Sequence, residues 1–308
     1  MKRPQGRFFL RESEKMKKLA AATAALGLSL SAGAADPDHI HCNSCESWNA
    51  AQQPFKVVGN TYYVGTKELS AMLVTTPKGH VLLDGALPQS AAQIAANIKA
   101  LGFRIEDVKY ILNSHAHWDH AGGISKLQKA SGATVLASES GARVMRAGTV
   151  EQDDPQYDAK EPVHFPKVAN VRAVKDNEVI RIGDVAITAL MTPGHTPGST
   201  SWTWKACEAG KCYDVVYADS LTAVSMDDFR FTGGAGKPDI TDSFRSTIAR
   251  VGKLQCDVIV STHPGFTDTL KKLAATTPSH NAFLGGGCAE YAASSLKRFE
   301  ERIANERR

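Results

Sequence analysis

A short run of candidate metal ligands behind an apolar stretch constrains this chain more than any other feature. Four of them fall within six consecutive residues: His115, His117, Asp119 and His120. The apolar run at 108–112 predicts a buried strand in front of them, and Gly122 and Gly123 follow where a helix is expected to begin. Side chains two apart on an extended segment share a face, so the first two histidines can bind one ion together. Imidazole and carboxylate ligands without cysteine favour zinc.

Two zinc ions need about six or seven protein ligands, so further ligands are expected at other strand ends. His195 lies in the turn-rich sequence PGHTPG after the apolar run at 185–190, and His263 lies in THPG after the run at 258–260. Pro and Gly follow both histidines, which indicates that the chain leaves a strand there. Three protein ligands with one open position are typical of a catalytic zinc site.

The order of the apolar patterns indicates two sheets with helices outside. Alternating residues predict strands between 55 and 84 and again between 171 and 190, with a helix at 90–101. A C-terminal helix is expected to bury one face, formed by Ala292, Leu296, Phe299 and Ile303. Each half of the chain therefore has strands first and a helix last, which favours two sheets packed face to face.

The motifs HxHxDH, PGHTPG and THPG, in this order, resemble those of the metallo-β-lactamase superfamily. Further stretches are similar to the third subclass of zinc β-lactamases, whose ligands are all His and Asp; they lie at 62–65, 79–85, 207–212 and 217–222. The resemblance runs from Trp48 to the C-terminus. It implies an α+β fold, the four-layer αββα sandwich of two mostly antiparallel sheets with helices outside. Residues 36–308 are then expected to form a single metallo-β-lactamase domain.

The resemblance also assigns the site residues position by position. The first zinc site of the family is matched by His115, His117 and His195. The second is matched by Asp119, His120 and His263, so two Zn²⁺ per chain are implied. Asp119 has a catalytic role as well, because it can accept a hydrogen bond from the attacking hydroxide and orient it. Ser220 and Thr222 are the candidates for binding the substrate carboxylate.

The implied activity is that of a zinc-dependent β-lactamase. A water shared by two zinc ions loses a proton near neutral pH and becomes the nucleophile. The resemblance implies that such a metal-bound hydroxide would attack the β-lactam amide without a covalent intermediate. Penicillins, cephalosporins and carbapenems are the implied small-molecule substrates.

Two other functions remain open. One is another hydrolase of the same superfamily, acting on a lactone, thioester or phosphoester. The stretch at 218–221 bears on this alternative, because other zinc β-lactamases place a cysteine ligand here and lactone and thioester hydrolases place an Asp that bridges both metals. In the third subclass the Ser occupies that place, whereas an Asp219 that reached both ions would favour the alternative. The other is a non-catalytic zinc or nucleic-acid-binding protein, against which the open coordination positions argue.

The first 35 residues predict export. Lys17 and Lys18, the apolar run at 19–30 and small residues up to Ala35 are typical of a signal peptide, and Met16 is a second candidate start. We expect residues 1–35 to be an N-terminal extension and signal peptide, and the enzyme to be a periplasmic monomer without a stable membrane anchor. Seven Lys or Arg and two Asp or Glu lie in this segment, a net charge of +5 that leaves −1 for the rest of a chain at +4. The charge thus gives no reason to expect nucleic-acid binding.

The six cysteines of an exported chain indicate disulfides before metal sites. Cys207 and Cys212 flank a four-residue turn and can face each other across a hairpin. Cys256 and Cys288 are expected to pair and to tie the strand of His263 to the C-terminal helix. Cys42 and Cys45 favour a small local disulfide, with a redox or metal role as the alternative.

A long loop at 148–168 is rich in Pro, Gly and Asp, and such loops are often functional. Tyr157, His164 and Phe165 are its candidate substrate-groove residues, with a plain surface loop as the alternative. Asp84 ends a strand and is expected to hydrogen-bond the metal-binding loop and orient a ligand. The remaining histidines have no convergent partners and are expected to be structural or exposed: His39, His41, His80 and His280.

Overall fold

Two β-sheets form the centre of the protein. The computed structural model describes residues 38–234 and 236–308, so the predicted extension and signal peptide at 1–35 lie outside the described residues and their boundary stays a prediction. The first sheet contains β1 (Phe55–Val58), β2 (Thr61–Tyr63), β3 (Met72–Thr76), β4 (Gly79–Leu83), β5 (Val108–Leu112), β6 (Thr134–Ala137) and β7 (Val171–Ala173). The second contains β8 (Val179–Ile182), β9 (Val185–Met191), β10 (Thr200–Glu208), β11 (Lys211–Ala218) and β12 (Val258–Ser261).

Helices precede, connect and follow these strands. They are α1 (Cys45–Trp48), α2 (Ala91–Ala100), α3 (Trp118–Ala121), α4 (Ile124–Ser131), α5 (Glu139–Ala147), α6 (Thr241–Gly252), α7 (Thr269–Ala275) and α8 (Cys288–Glu306). No helix in the described part of the chain is both long and apolar enough to cross a membrane.

The first sheet is more mixed than the sequence predicted. Its strands follow chain order, and the pairs from β1 to β4 are antiparallel while those from β4 to β7 are parallel. The parallel pairs need crossover connections, which α2, α4 and α5 provide. In the second sheet, with order β12-β11-β10-β9-β8, the pair β11–β12 is parallel and the others are antiparallel.

Three apolar layers hold these elements together. The layer between the sheets contains fully buried side chains from both: Met72, Leu83, Leu112, Ile187, Trp202 and Tyr217. A second layer lies between the first sheet and its helices and includes Ile94, Ile98, Ile124 and Leu127. A third lies between the second sheet and the helices α6 and α8, and includes Phe244, Ile248, Phe299 and Ile303. The predicted αββα sandwich is therefore confirmed.

The strands that carry the candidate ligands end on the same side of the sandwich. β9, β11 and β12 run in one direction, because β10 is antiparallel to both of its neighbours and β12 is parallel to β11. The segment after β5 meets them there: the amide of Thr200 donates to the carbonyl of Ser114 at 2.7 Å. The indole nitrogen of Trp202 likewise donates to the carbonyl of Asn113 at 3.1 Å. The two sheets are thus joined where the histidine cluster begins.

The C-terminal helix packs with a slightly different face from the one predicted. Ala292, Phe299 and Ile303 are buried, but Leu296 is 38% exposed. The buried stripe also contains Tyr291 and polar Ser295, which shifts its centre away from Leu296. Apolar spacing alone missed this rotation because Ser295 is polar and did not count toward the stripe.

Three disulfides are present in the described part of the chain: Cys42–Cys45, Cys207–Cys212 and Cys256–Cys288. The second joins β10 to β11 next to their turn, with the two cysteines directly opposite in the register. The third connects the segment before β12 to the first residue of α8. It is the longest of the three cross-links in sequence, with a separation of 32 residues.

Removing a disulfide should destabilise the protein more when the bridge closes a longer loop. We expect replacement of Cys256 and Cys288 together by serine to lower the free energy of unfolding by about 4 kcal/mol, and replacement of Cys207 and Cys212 to lower it by about 2 kcal/mol. The reason is that a longer closed loop removes more entropy from the unfolded chain. Denaturant unfolding of both double variants and the wild type measures the difference. An equal or larger loss for the hairpin pair would contradict it.

Candidate metal centre

Four separate segments deliver the six candidate ligands. His115 and His117 lie in the extended segment after β5, and Asp119 and His120 lie in the short helix α3 that follows. His195 lies in the turn between β9 and β10, and His263 comes directly after β12. The glycines predicted at the corner are required there: a Cβ on Gly123 would lie 2.1 Å from the carbonyl oxygen of Gly85. The helix can therefore approach the end of β4 closely.

The turn that carries His195 also depends on a glycine. Gly194 has φ +150°, and a Cβ there would lie 2.1 Å from the ring of Phe244 in α6. Only a residue without a side chain lets this turn pack on the aromatic ring. The packing fixes the position of His195 relative to the sheet.

The first three predicted ligands converge. Donor atoms of His115, His117 and His195 lie within 4.8 Å of one another, and all three residues are buried. Their ring centroids are 4.7 to 5.0 Å apart. This spacing allows three imidazoles to face a common point, as three ligands of one tetrahedral ion do.

The other three predicted ligands form an adjoining group. Nε2 of His120 lies 3.2 Å from Nε2 of His263. Oδ2 of Asp119 lies 3.2 Å from Nε2 of His120 and 3.4 Å from Nε2 of His263. His115 also groups with Asp119 and His120 within 4.8 Å, so the two groups are neighbours. Only His263 among the six is partly open to solvent, with its side chain 22% exposed.

Hydrogen bonding leaves one ring nitrogen of His115 and one of His195 available. Nδ1 of His115 is 2.6 Å from Oδ1 of Asp219, while its Nε2 is buried without any hydrogen-bond partner. Nδ1 of His195 donates to the carbonyl of Thr222 at 2.9 Å. A buried polar atom without a partner is costly, and a metal ion at Nε2 of His115 would remove that cost. The donor set therefore fits zinc, with outer partners that orient each imidazole.

Burial keeps two of these histidines in the neutral form that binds metals. Burial and the neighbouring His120 and His117 lower the pKa of His115 well below its usual value. Burial and the neighbouring His115 and His117 lower the pKa of His195 to about 3. Neutral imidazoles are metal ligands, whereas imidazolium is not.

Asp119 is held in the ionised form. Burial by itself would raise its pKa, but His120 and His263 beside the carboxylate bring the pKa well below the usual value. An ionised carboxylate is required both for metal binding and for accepting a hydrogen bond from water. Asp119 is therefore suited to either role.

Asp219 lies behind His115. Its carboxylate is fully buried, and it belongs to neither group of converging donors among the described residues. One oxygen contacts His115, and the other has no hydrogen-bond partner. This geometry favours orientation of His115 over a bridging position between two metals.

Asp84 supports the corner as the sequence predicted. Its carboxylate accepts hydrogen bonds from the amide and hydroxyl of Ser114 at 2.8 and 2.6 Å, and from Tyr217 at 2.8 Å. One oxygen lies 4.0 Å from Nδ1 of His120. Burial raises the pKa of Asp84 to about 6. The residue also has φ +59°, a left-handed conformation that these contacts maintain.

The two predicted substrate-binding residues lie beside the ligands. The hydroxyl of Ser220 is buried and lies 2.8 Å from the hydroxyl of Thr262. Thr222 is half-buried, and its hydroxyl is 3.1 Å from Nδ1 of His195. Thr222 thus contacts a candidate ligand directly, a contact that sequence analysis did not anticipate. Their role in substrate binding stays a prediction.

The prediction for the long loop is partly wrong. Phe165 is 3% exposed and packs in the layer between the first sheet and its helices, so it cannot line a groove. Tyr157 is half-buried and His164 is exposed. Asp154 in the same loop was not predicted, although both of its carboxylate oxygens lie 3.1 Å from Nε2 of His117. A carboxylate in a long loop was the available signal, but nothing local linked it to His117.

The remaining histidines lie away from the centre. His39 and His41 are exposed, with ring centroids 4.5 Å apart, and His280 is exposed. His80 is buried in β4 with its ring against Phe103. None belongs to a group of converging donors in the part of the chain that the structure describes.

Two solved structures are similar to this chain over nearly their whole length. MEM-A1, a subclass B3 metallo-β-lactamase isolated from a soil metagenome library, is 48% identical, with a TM-score of 0.81, 84% of this chain covered and 98% of that one. The Rm3 metallo-β-lactamase is 46% identical, with a TM-score of 0.84 and coverage of 87% and 100%.

Curated relatives have a lower sequence identity to this chain and match a smaller part of it. The N-acyl homoserine lactonase AttM of Azorhizobium caulinodans is 25% identical over 45% of this chain. A hydroxyacylglutathione hydrolase of Methylococcus capsulatus is 28% identical over 42% of this chain. The matches cover 60% of the lactonase and 41% of the thioester hydrolase.

A family model covers the segment that holds all six converging residues. Residues 67–263 match the model of the metallo-β-lactamase superfamily. The chain therefore belongs to the metallo-β-lactamase superfamily, and the solved structures that it resembles include members of subclass B3.

Proposed function

We propose that this protein is a zinc β-lactamase that hydrolyses the amide of penicillins, cephalosporins and carbapenems with two Zn²⁺ per chain. The proposal rests on the convergence of five His and Asp donors, on His263 beside His120 and Asp119, and on Nε2 of His115, which is buried and unpartnered. The similarity to metallo-β-lactamases at 46 to 48% identity, one of them of subclass B3, supports a β-lactam substrate.

The roles of the residues follow from their positions. Two zinc ions bound here would supply a nucleophile from water at neutral pH and polarise the amide carbonyl. Asp119, ionised and buried, accepts a hydrogen bond from the attacking water and orients it. Asp219, Asp154 and Thr222 hold the first three imidazoles from behind. Ser220 and Thr222 are the residues that we propose to bind the substrate carboxylate, and Thr222 contacts His195 at 3.1 Å.

Side-chain nucleophiles near the centre are already engaged. The hydroxyl of Ser114 donates to Asp84, and that of Ser220 pairs with Thr262. No free cysteine occurs among the described residues. Hydrolysis without a covalent intermediate is the route that this arrangement favours.

A lactone or thioester hydrolase is the second candidate function. The second carboxylate oxygen of Asp219 favours it, because this oxygen is buried without a hydrogen-bond partner and a cation would supply one. The similarity to a lactonase and to a hydroxyacylglutathione hydrolase points the same way. The higher identity to β-lactamases, over a larger share of the chain, favours the first proposal.

We also propose that the enzyme is a periplasmic monomer without a membrane anchor. The signal-peptide pattern at 17–35 and the three disulfides support export to an oxidising compartment. The net charge of −1 after residue 35 gives no support to nucleic-acid binding.

The metal content of purified variants tests the ligand assignment. We expect the wild type to hold two zinc ions per chain, and His263→Ala to keep one after dialysis, because its first group of ligands is intact. His280→Ala is the control, since this exposed histidine lies outside both groups, and it should hold two. Elemental analysis after dialysis measures the ratio. Two tightly bound ions in His263→Ala would remove His263 from the ligand set.

Substrate class can be decided with one panel. We expect turnover of nitrocefin well above that of an N-acyl homoserine lactone or a glutathione thioester. Activity should be lost on exhaustive chelation and unaffected by clavulanate, because no serine nucleophile is involved. Turnover of the lactone or thioester alone would favour the second function. Full β-lactamase activity after chelation would contradict the metal-dependent route.

Asp119→Ala separates catalysis from folding. We expect turnover to fall at least about 100-fold, because a carboxylate that orients the attacking water contributes this much or more. The unfolding temperature should change little. Asp242→Ala, at a position on α6 that is 98% exposed, should keep wild-type turnover. Wild-type turnover in Asp119→Ala would exclude the assigned role.

A further inference from the structure

A carboxylate from the long loop reaches the metal centre. Asp154 lies between α5 and β7, in a stretch without helix or strand, and both of its oxygens are 3.1 Å from Nε2 of His117. Its side chain is 5% exposed. A buried carboxylate in a mostly exposed loop needs a specific partner, and His117 is that partner.

The loop holds Asp154 in a fixed orientation. The amide of Gln156 donates to Oδ1 at 2.8 Å, and the amide of Tyr157 donates to the carbonyl of Asp154 at 3.1 Å. The amide of Asp154 itself donates to the carbonyl of Glu151 at 3.0 Å. These bonds form a turn around the residue, so the carboxylate cannot leave His117 unless the turn also moves.

The contact determines which nitrogen of His117 remains for a metal. Because Asp154 occupies Nε2, a metal must bind Nδ1, which lies 3.4 Å from the side-chain nitrogen Nε2 of Gln156. A carboxylate on the second nitrogen fixes the tautomer and the ring orientation of a ligating histidine and raises its basicity.

His117 differs in this respect from the other two histidines of its group. The partners of His115 and His195 lie directly after β11, at Asp219 and Thr222. The partner of His117 lies on the loop, whose neighbouring Pro155 accepts a hydrogen bond from the amide of Met226 at 2.9 Å. The loop at 148–168 is thereby joined to the metal centre on one side and to the segment after Thr222 on the other.

We propose that Asp154 is a positioning residue that couples metal binding at His117 to the order of the loop at 148–168. Binding of a metal at Nδ1 of His117 strengthens the hydrogen bond between Nε2 and the carboxylate of Asp154. In turn, a carboxylate held at Nε2 makes Nδ1 a stronger metal ligand. Such coupling is reciprocal: each event favours the other to the same extent. The inference rests on the proposed function only in requiring zinc at His117.

Zinc affinity and hydrogen exchange of the loop test the coupling. In the wild type, zinc should slow amide exchange across 148–168. In Asp154→Ala, the zinc affinity of the site that contains His117 should fall about 10- to 100-fold. Zinc should then no longer slow amide exchange in the loop. Asp154→Asn keeps an oxygen that accepts from Nε2 but no charge, so its affinity should lie between the two. Asp153→Ala, at the exposed neighbouring position, should match the wild type.

Competition with a chromogenic chelator and exchange mass spectrometry provide the two readouts. Wild-type affinity and loop protection in Asp154→Ala would overturn the inference, as would a wild-type loop whose exchange does not respond to zinc. Should Asp154→Ala not fold, Asp154→Asn decides by the same criteria. If zinc affinity and loop exchange depend on Asp154 as expected but the wild type hydrolyses no β-lactam, only the proposed function would be overturned.

Discussion

The meeting of strand ends from two sheets is the constraint on which the rest of the structure depends. β9, β11 and β12 end on the side where the segment after β5 crosses from the first sheet. Backbone hydrogen bonding between Thr200 and Ser114, and the indole of Trp202 on Asn113, fix the two sheets at that point. A shift of one residue in either register would turn His115 away from His195, and the centre would not form.

Buried polar groups determine the geometry that this centre offers to a metal. His115, His117 and His195 are buried, and each has a partner behind it that occupies one ring nitrogen. Nε2 of His115 is buried without a partner, an arrangement that favours a bound cation. The same partners determine ring orientation, so the geometry offered to a metal is set by residues that do not bind it.

The sequence predicted the parts of this centre that local spacing determines. His115 to His120 follow a buried strand at metal-ligand spacing, and the Pro-Gly turns placed His195 and His263 at strand ends. Asp154 could not be found this way, because its contact with His117 spans 37 residues through a loop without periodicity. Phe165 was misplaced for a related reason: the polar, proline-rich sequence around it gives no sign that one aromatic side chain enters the core. The parallel half of the first sheet was missed because short apolar runs do not indicate strand direction.

Anomalous diffraction at the zinc edge, from crystals of the purified protein, would show whether the six residues bind two zinc ions. We expect two peaks: one about 2.0 to 2.1 Å from nitrogens of His115, His117 and His195, and one at that distance from Asp119, His120 and His263. Nδ1 should be the bonded nitrogen of His117. A single peak, or a peak bonded to Asp219 in place of these ligands, would contradict the account.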